Sequence, residues 1–173
     1  MDRADKSSTR RERVKKKKVV VFIVLALVLL IMSFKVKDYY ENRIWYEFAE
    51  NIRKEYPIIY SIDKNDFGPH TCFRVYVKEK MVEVSEAEEI FKCFMRAIND
   101  NQFLEYIQTY HNKHASGEFS SILIRFQYKN DKSNIMYEFE SAGKERPYYN
   151  VFVLWSELNK DVIGKKYNLS DYK

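Results

Sequence analysis

The apolar and polar residues of this chain follow three patterns that divide it into segments. Residues 19–34 form a continuous apolar run whose only polar side chain is the hydroxyl of Ser33. Residues 37–56 place apolar side chains every four positions, and the chain beyond Pro57 mixes periods of two and four. These patterns predict, in order, an apolar helix, an amphipathic helix, and a domain that contains both strands and helices.

The continuous apolar run predicts a transmembrane helix over residues 19–36. Its sixteen core residues cover about 24 Å as a helix, and the stems of Lys18 and Lys35 extend this length towards the lipid headgroups. A buried core helix is disfavoured because lysines directly precede the run and no face of it is polar. A cleaved signal peptide is the main alternative, but residues 32–37 (MSFKVK) lack the small residues of a cleavage site. We therefore expect the segment to stay in the membrane.

Charge is distributed as unevenly as hydrophobicity, and it predicts the orientation of the anchor. Of the formal net charge of +5, residues 1–18 carry +6 and residues 35–173 carry −1. The flanking cations are Lys15, Lys16, Lys17 and Lys18 before the run, and Lys35 after it. The positive-inside rule places residues 1–18 in the cytoplasm and the rest outside it. The balanced charge of residues 35–173 argues against nucleic acid as a partner.

Helical periodicity recurs in three places after the anchor. Residues 37–57 predict a helical stalk, with Tyr40, Ile44, Phe48 and Ile52 on one stripe and Pro57 at its end. Residues 85–100 begin with a capping box in which Ser85 is the expected N-cap. Residues 102–114 predict a further helix, in which Phe103, Ile107, Tyr110 and His114 share a face.

Period-two stretches predict the strands. They are residues 58–62, 71–77, 81–84, 121–128, 134–140 and 149–155, with turns expected at 63–69 and 129–133 and a short helix after Ser156. The expected fold is α+β, with an antiparallel sheet covered on one face by helices. The predicted organisation is a basic cytoplasmic tail (1–18), a transmembrane helix (19–36), a helical stalk (37–57) and an extracytoplasmic α+β domain (58–173).

Few residues carry candidate chemistry. His111 and His114, three positions apart on one helix, are candidate metal ligands if a third ligand comes from elsewhere. His70 and Cys72 are a candidate thiol pair, although the sequence shows no orienting partner. Cys72 and Cys93 are expected to be free thiols, because Cys72 lies on the strand face opposite the one expected to meet the helices. No catalytic residue and no cofactor are predicted.

These observations favour a membrane-anchored protein that acts by binding. We expect a single-pass, extracytoplasmic, non-catalytic binding or assembly module whose partners are the lipid bilayer and a membrane or envelope protein. The alternatives are an immunity or regulatory factor at the membrane and, less favoured, a metal- or thiol-dependent envelope enzyme. Candidate contact residues for a protein partner are Tyr39, Tyr148 and Tyr149. The abundance of Lys, Asn, Ile, Tyr and Phe indicates an AT-rich genome, which favours a bacterial source.

Overall fold

The chain has an α+β fold, as the sequence predicts. The computed structural model describes residues 4–141, 151–156 and 163–172, with side chains from Val20 onward. In chain order the elements are α1 (Ala4–Glu55), β1 (Ile59–Phe67), β2 (His70–Val77), α2 (Val84–Asn99), α3 (Asn101–His114), β3 (Ser121–Tyr128), β4 (Asp131–Ser141), β5 (Val151–Trp155), β6 (Lys166–Asn168) and a 3-10 turn (Leu169–Tyr172). The chain divides into two compact units, Met1–Arg43 and Ile44–Lys173, which we describe separately.

The first unit consists of α1 up to Arg43. Its apolar side chains are exposed rather than packed, from 47% for Val28 to 74% for Phe22. The helix is long and apolar enough to span a membrane. Beyond the apolar run, the side-chain amide of Asn42 donates to the Oδ1 atom of Asp38 at 2.9 Å.

The second unit contains a six-stranded sheet in the order β1-β2-β3-β4-β5-β6. The expectation of a wholly antiparallel sheet is wrong, because β2 and β3 are parallel. The other four neighbouring pairs are antiparallel. The reason is the connection: α2 and α3 carry the chain from the end of β2 back to the start of β3, as a parallel pair requires. A period-two pattern identifies strands but not their relative direction.

One face of the sheet receives aromatic contacts from three helices. Trp45 of α1 stacks on Phe73 of β2 with ring centroids 5.2 Å apart, and Phe91 of α2 stacks on Phe139 of β4 at 4.0 Å. Phe103 of α3 lies 6.4 Å from Phe73. The expected core stripe of α2 is confirmed, since its members are all buried: Ala87, Ile90, Phe91, Phe94 and Ile98.

Several local predictions are corrected by the first hairpin and by the start of α2. β1 continues through residues 63–67, so the turn is reduced to Gly68 and Pro69. Gly68 has a φ of 53°, which glycine adopts without strain. Residues 81–83 form no strand, and Glu83 rather than Ser85 is the N-cap of α2, without a side-chain capping bond. A capping motif predicts a helix start to within a few residues, which packing then decides.

The C-terminal third follows the predicted order with shifted boundaries. β3 has the predicted bounds. β4 begins at Asp131 and not at residue 134, because residues 131–133 of the predicted turn are part of the strand. β5 is confirmed from Val151 onward. The short strand β6 and the 3-10 turn after it were not predicted. The predicted helix after Ser156 lies mostly outside the described residues.

Candidate functional site

The second unit carries an open groove of about 510 Å³ between the end of α1 and β1. We call it the α1–β1 groove. The chain turns at Pro57 immediately after α1, so the last turns of the helix lie along the strand that follows. Its lining, among the described residues, consists of Trp45, Tyr46, Ala49, Glu50, Arg53, Lys54, Ser61 and Ile62. Its volume lies within the range of pockets that bind ligands.

The α1–β1 groove combines an apolar floor with a charged end. Trp45 is 6% exposed and Ile62 is 7% exposed, so both present a small, fixed apolar surface. At the charged end, the Nζ atom of Lys54 lies 2.8 Å from Oε1 of Glu50. This hydrogen bond from Lys54 holds the pKa of Glu50 below its usual value of 4.5. With Arg53, the described lining residues include two cations and one carboxylate, a formal charge of +1.

A smaller cavity of about 230 Å³ lies on the sheet face opposite the aromatic contacts. Its lining residues are Arg125, Ile135, Glu138, Trp155 and Ser156. The Nε atom of Arg125 pairs with Oε2 of Glu138 on the neighbouring strand, and Trp155 is 46% exposed. On the neighbouring strands, Arg125 is paired with Arg74, and Arg74 is paired with Asp63, so a row of polar side chains crosses this face.

A buried polar cluster joins β1, β2 and α3 at one end of the sheet. The hydroxyl of Thr71 donates to Oδ1 of Asp66. The Nδ1 atom of His111 lies 3.2 Å from the Thr71 hydroxyl oxygen and 3.4 Å from Oδ1 of Asp66. The side chains of His111 and Asp66 are 0% and 2% exposed, and Thr71 is fully buried. We call these three residues the Asp66–Thr71–His111 cluster.

The cluster assigns the imidazole proton. Because Thr71 gives its only hydroxyl proton to Asp66, its oxygen accepts, and Nδ1 of His111 is the donor. The other ring nitrogen of His111, Nε2, has no hydrogen-bond partner among the described groups. The Oδ2 atom of Asp66 has none among them either. A carboxylate that orients an imidazole through Nδ1 is common to general bases and metal ligands. Here Nε2 is buried, and the His111 ring packs against Phe119 with ring centroids 5.4 Å apart.

His111 and His114 have different environments, although the sequence places them on one helix face. His114 is exposed, its Nδ1 atom donates to the carbonyl of Tyr110 at 2.8 Å, and its ring stacks on Tyr110. Of the predicted face, Phe103 and Ile107 are buried as expected, but the next buried residue of α3 is His111 and not Tyr110 or His114. Within residues 4–141, 151–156 and 163–172, no group of three or more His, Cys, Asp or Glu side chains is placed to hold a metal ion.

Tyr106 and Tyr110 of α3 contact Lys64 of β1, and Tyr106 also packs against the core. The Nζ atom of Lys64 lies 3.0 Å from the ring centroid of Tyr110 and 4.3 Å from that of Tyr106. It also donates to the hydroxyl of Tyr106. This contact and the buried cluster both fasten the first hairpin to α3.

The remaining predicted contact and flanking residues can be placed only in part. Tyr39 is 52% exposed on α1 and packs edge-to-face on Tyr40. Lys35 is exposed on the same helix. Tyr148 and Tyr149 lie outside the described residues, as do the side chains of Lys15, Lys16, Lys17 and Lys18.

Both cysteines are free thiols, as predicted. Cys72 lies on the sheet face opposite Phe73, and Cys93 lies on α2 with its Sγ atom 3.7 Å from the hydroxyl of Tyr56. Burial raises the pKa of both thiols above the usual value of 9.0. Neither thiol therefore has the low pKa of a reactive nucleophile.

Sequence reasoning missed the α1–β1 groove and the Asp66–Thr71–His111 cluster. The sequence signal for the groove was present in the amphipathic stripe of the predicted stalk, because Trp45 and Ile52 contribute to the core of the second unit. The cluster had no such signal, because residues 63–69 have the composition of a turn.

Comparisons of the chain with protein-family models, curated proteins and solved structures found no match.

Proposed function

We propose that this protein is a single-pass membrane protein whose C-terminal domain is an extracytoplasmic, non-catalytic binding or assembly module for a membrane or envelope protein. The observation that carries the proposal is the exposed apolar surface of α1. Twelve large apolar side chains between Val20 and Met32 are each about half exposed or more. Such a surface is far larger than the apolar patches of soluble monomers, and lipid would cover it.

The proposed orientation has the N-terminus in the cytoplasm. It rests on Lys15, Lys16, Lys17 and Lys18, which precede the apolar run, against the single Lys35 directly after it. Cationic residues are retained on the cytoplasmic side during insertion. The domain would then lie on the far side of the membrane.

A reporter fused after Lys173 tests the anchor and its orientation. We expect alkaline phosphatase to be active at this position and a cytoplasmic fluorescent reporter to be dark. Replacing Val24 and Leu27 by arginine costs about 2.5–3.5 kcal/mol for each residue within a membrane, so the variant should be lost from the carbonate-resistant fraction. Tyr39→Arg, outside the apolar run, is the matched control and should remain membrane-bound.

Two outcomes of this experiment contradict the proposal. One is a reporter that is active only in the cytoplasm. The other is a mature chain that begins after Phe34, which would identify the apolar run as a cleaved signal peptide.

The α1–β1 groove supports the proposal that the domain acts by binding. It offers buried apolar side chains at its floor and an excess of one positive charge at one end, which is the composition of a protein-contact site with a polar rim. A photoreactive residue at Ala49 should crosslink the full chain to its partner in membranes, and one at Lys113 on α3 should not. The purified partner should then bind wild type more tightly than Ala49→Arg.

The non-catalytic part of the proposal has its own test. Metal analysis of the purified full chain should find less than stoichiometric transition metal, and His111→Ala should leave the metal content unchanged. One bound metal per chain that is lost in His111→Ala would instead favour a metal-dependent envelope enzyme.

A further inference from the structure

The α1–β1 groove runs along an edge of the sheet. β1 is the first strand in the sheet order, so among the described strands only β2 is hydrogen-bonded to it. Every second residue of an edge strand directs its backbone N–H and C=O groups away from the sheet. Ser61 and Ile62 of β1 line the groove, and the last turns of α1 form its opposite wall.

The groove and an extended peptide have comparable dimensions. From Trp45 to Lys54 the helix wall rises about 14 Å at 1.5 Å per residue. About four residues of extended chain, at about 3.3 Å each, cover that distance. A four-residue peptide strand in the groove would therefore direct two of its side chains towards the helix wall. Its other two side chains would point to the opposite face of the sheet.

We propose that the α1–β1 groove binds an extended segment of the partner protein, which adds to the sheet as a strand beside β1. Backbone hydrogen bonds to β1 would supply affinity that does not depend on sequence, and the helix wall would select side chains. This inference rests on the proposed binding function and names the chemistry of the partner.

The lining defines that chemistry. Ala49 and Ile62 are the two aliphatic residues of the described lining, and the small side chain of Ala49 leaves space for an aliphatic side chain of the peptide. Arg53 and Lys54 lie at the end of the groove near the start of β1, since residues 56–58 connect the two elements. Their charge exceeds that of Glu50 by one, which favours an acidic residue two positions from the aliphatic one.

The test uses the full chain in lipid nanodiscs and a phage-displayed library of random peptides of about eight residues. We expect enriched peptides to alternate apolar and polar residues and to carry an acidic residue two positions from an aliphatic one. Bound peptide should slow hydrogen exchange at alternate amides of residues 59–67. A proline inserted in the middle of an enriched peptide should abolish binding, since it removes a donor from the added strand.

Three variants locate the binding. Ala49→Arg fills the groove and Arg53→Glu reverses its charge, so each should weaken peptide binding about tenfold or more. Lys113→Glu reverses an exposed charge on α3 and should leave the affinity within about twofold. Tryptophan fluorescence, to which the buried Trp45 contributes, verifies that each variant is folded. Arg53→Glu, at an exposed position, provides the test if Ala49→Arg unfolds.

Failure of this inference can be distinguished from failure of the proposed function. A library without enriched peptides, or peptides that leave the exchange of residues 59–67 unchanged, overturns strand addition. Peptides that bind equally to wild type and Arg53→Glu also overturn it. In the last two cases binding itself remains, and the reporter at Lys173 tests the anchor independently of both.

Discussion

The Nδ1 atom of His111 lies 3.4 Å from the Oδ1 atom of Asp66, and both side chains are buried. This pair joins α3 to β1, and Thr71 on β2 bonds to both residues. A buried polar pair is costly to break, because each partner then remains without compensation for its lost hydration. The cluster therefore favours one position of the β1–β2 hairpin relative to α3, because other positions would leave these buried polar groups unpaired.

A double-mutant cycle on Asp66 and His111 measures this coupling. Asp66→Ala and His111→Ala should each lower the free energy of unfolding by about 1–3 kcal/mol, because each leaves a buried partner unsatisfied. The double variant should lose less than the sum, by about 0.5–3 kcal/mol. Urea unfolding of the full chain in detergent, followed by tryptophan fluorescence, provides the measurement.

His114→Ala is the control for that cycle, since His114 is exposed on the same helix. Its effect should stay within about 0.5 kcal/mol. Additive losses in the double variant would show that the Asp66–His111 contact does not stabilise the fold.

Replacement of Phe91 by alanine tests the aromatic core. Phe91 is fully buried and contacts the rings of Phe139, Phe152 and Tyr167 with centroid distances of 4.0–5.4 Å. Phe91→Ala should cost about 3–5 kcal/mol of unfolding free energy. Met81→Ala, at a position 65% exposed, should change it by no more than about 0.5 kcal/mol. Equal effects of the two substitutions would contradict the described packing of α2 on β4.

The contacts of Glu88 lead us to expect that the free energy of unfolding depends on pH. Its burial by itself raises the pKa, but hydrogen bonds from Lys165 Nζ and the Tyr167 hydroxyl outweigh this and hold the pKa below 4.5. A carboxyl whose folded pKa is lowered contributes stability above its unfolded pKa and loses it as the pH falls through the folded value. Glu88→Gln should therefore be destabilised by about 1–3 kcal/mol at pH 7.

The difference in the free energy of unfolding between wild type and Glu88→Gln should decrease as the pH falls below 4.5. Urea unfolding at a series of pH values down to 3 measures it. Glu105→Gln, an exposed position on α3, is the control and should track wild type at every pH. A difference that stays constant throughout this range would show that Glu88 does not titrate in the way its contacts require.

Alkylation tests the two thiols. Cys72 is fully buried and Cys93 is 9% exposed, and burial raises the pKa of both. In the native chain Cys93 should react with iodoacetamide slowly and Cys72 more slowly still, since only the thiolate reacts. In denaturant both should react at once without a reductant, as mass spectrometry of the labelled peptides would show. Labelling that requires reduction would reveal a disulfide and overturn the assignment of Cys72 to the outer sheet face.

Period and composition predicted the elements with strong local signals. The Phe91 stripe identified α2, and the alternation of Ile122, Ile124 and Phe126 identified β3 with its bounds. Residues 63–67 were mistaken for a turn because their Asp and Asn residues favour turns in isolation. Pairing with β2 overrides that preference, since each of these residues faces a β2 partner in the ladder.

The candidate site was predictable only in its separate parts. The sequence indicates His111 and His114 as a pair of candidate ligands, yet only His111 is buried and reaches Asp66 and Thr71, 45 and 40 positions earlier in the chain. Helical and strand periodicity relates only neighbouring residues, so it cannot predict contacts between residues 40 or 45 positions apart. Trp45 and Ala49 likewise lie beside the helical stripe of the predicted stalk, and they become part of the wall of a groove only when β1 lies beside them.

The sequence by itself determined where the chain is apolar, where it is charged and which segments repeat with helical or strand periods. Those properties depend on neighbouring residues, and they are sufficient to identify the exposed apolar helix and the α+β class. The tertiary structure decided the parallel pairing of β2 with β3, the partners of His111 and the existence of the α1–β1 groove. Each of these depends on which distant segments pack together, because the free energy of burial and backbone pairing is shared among residues far apart in the chain.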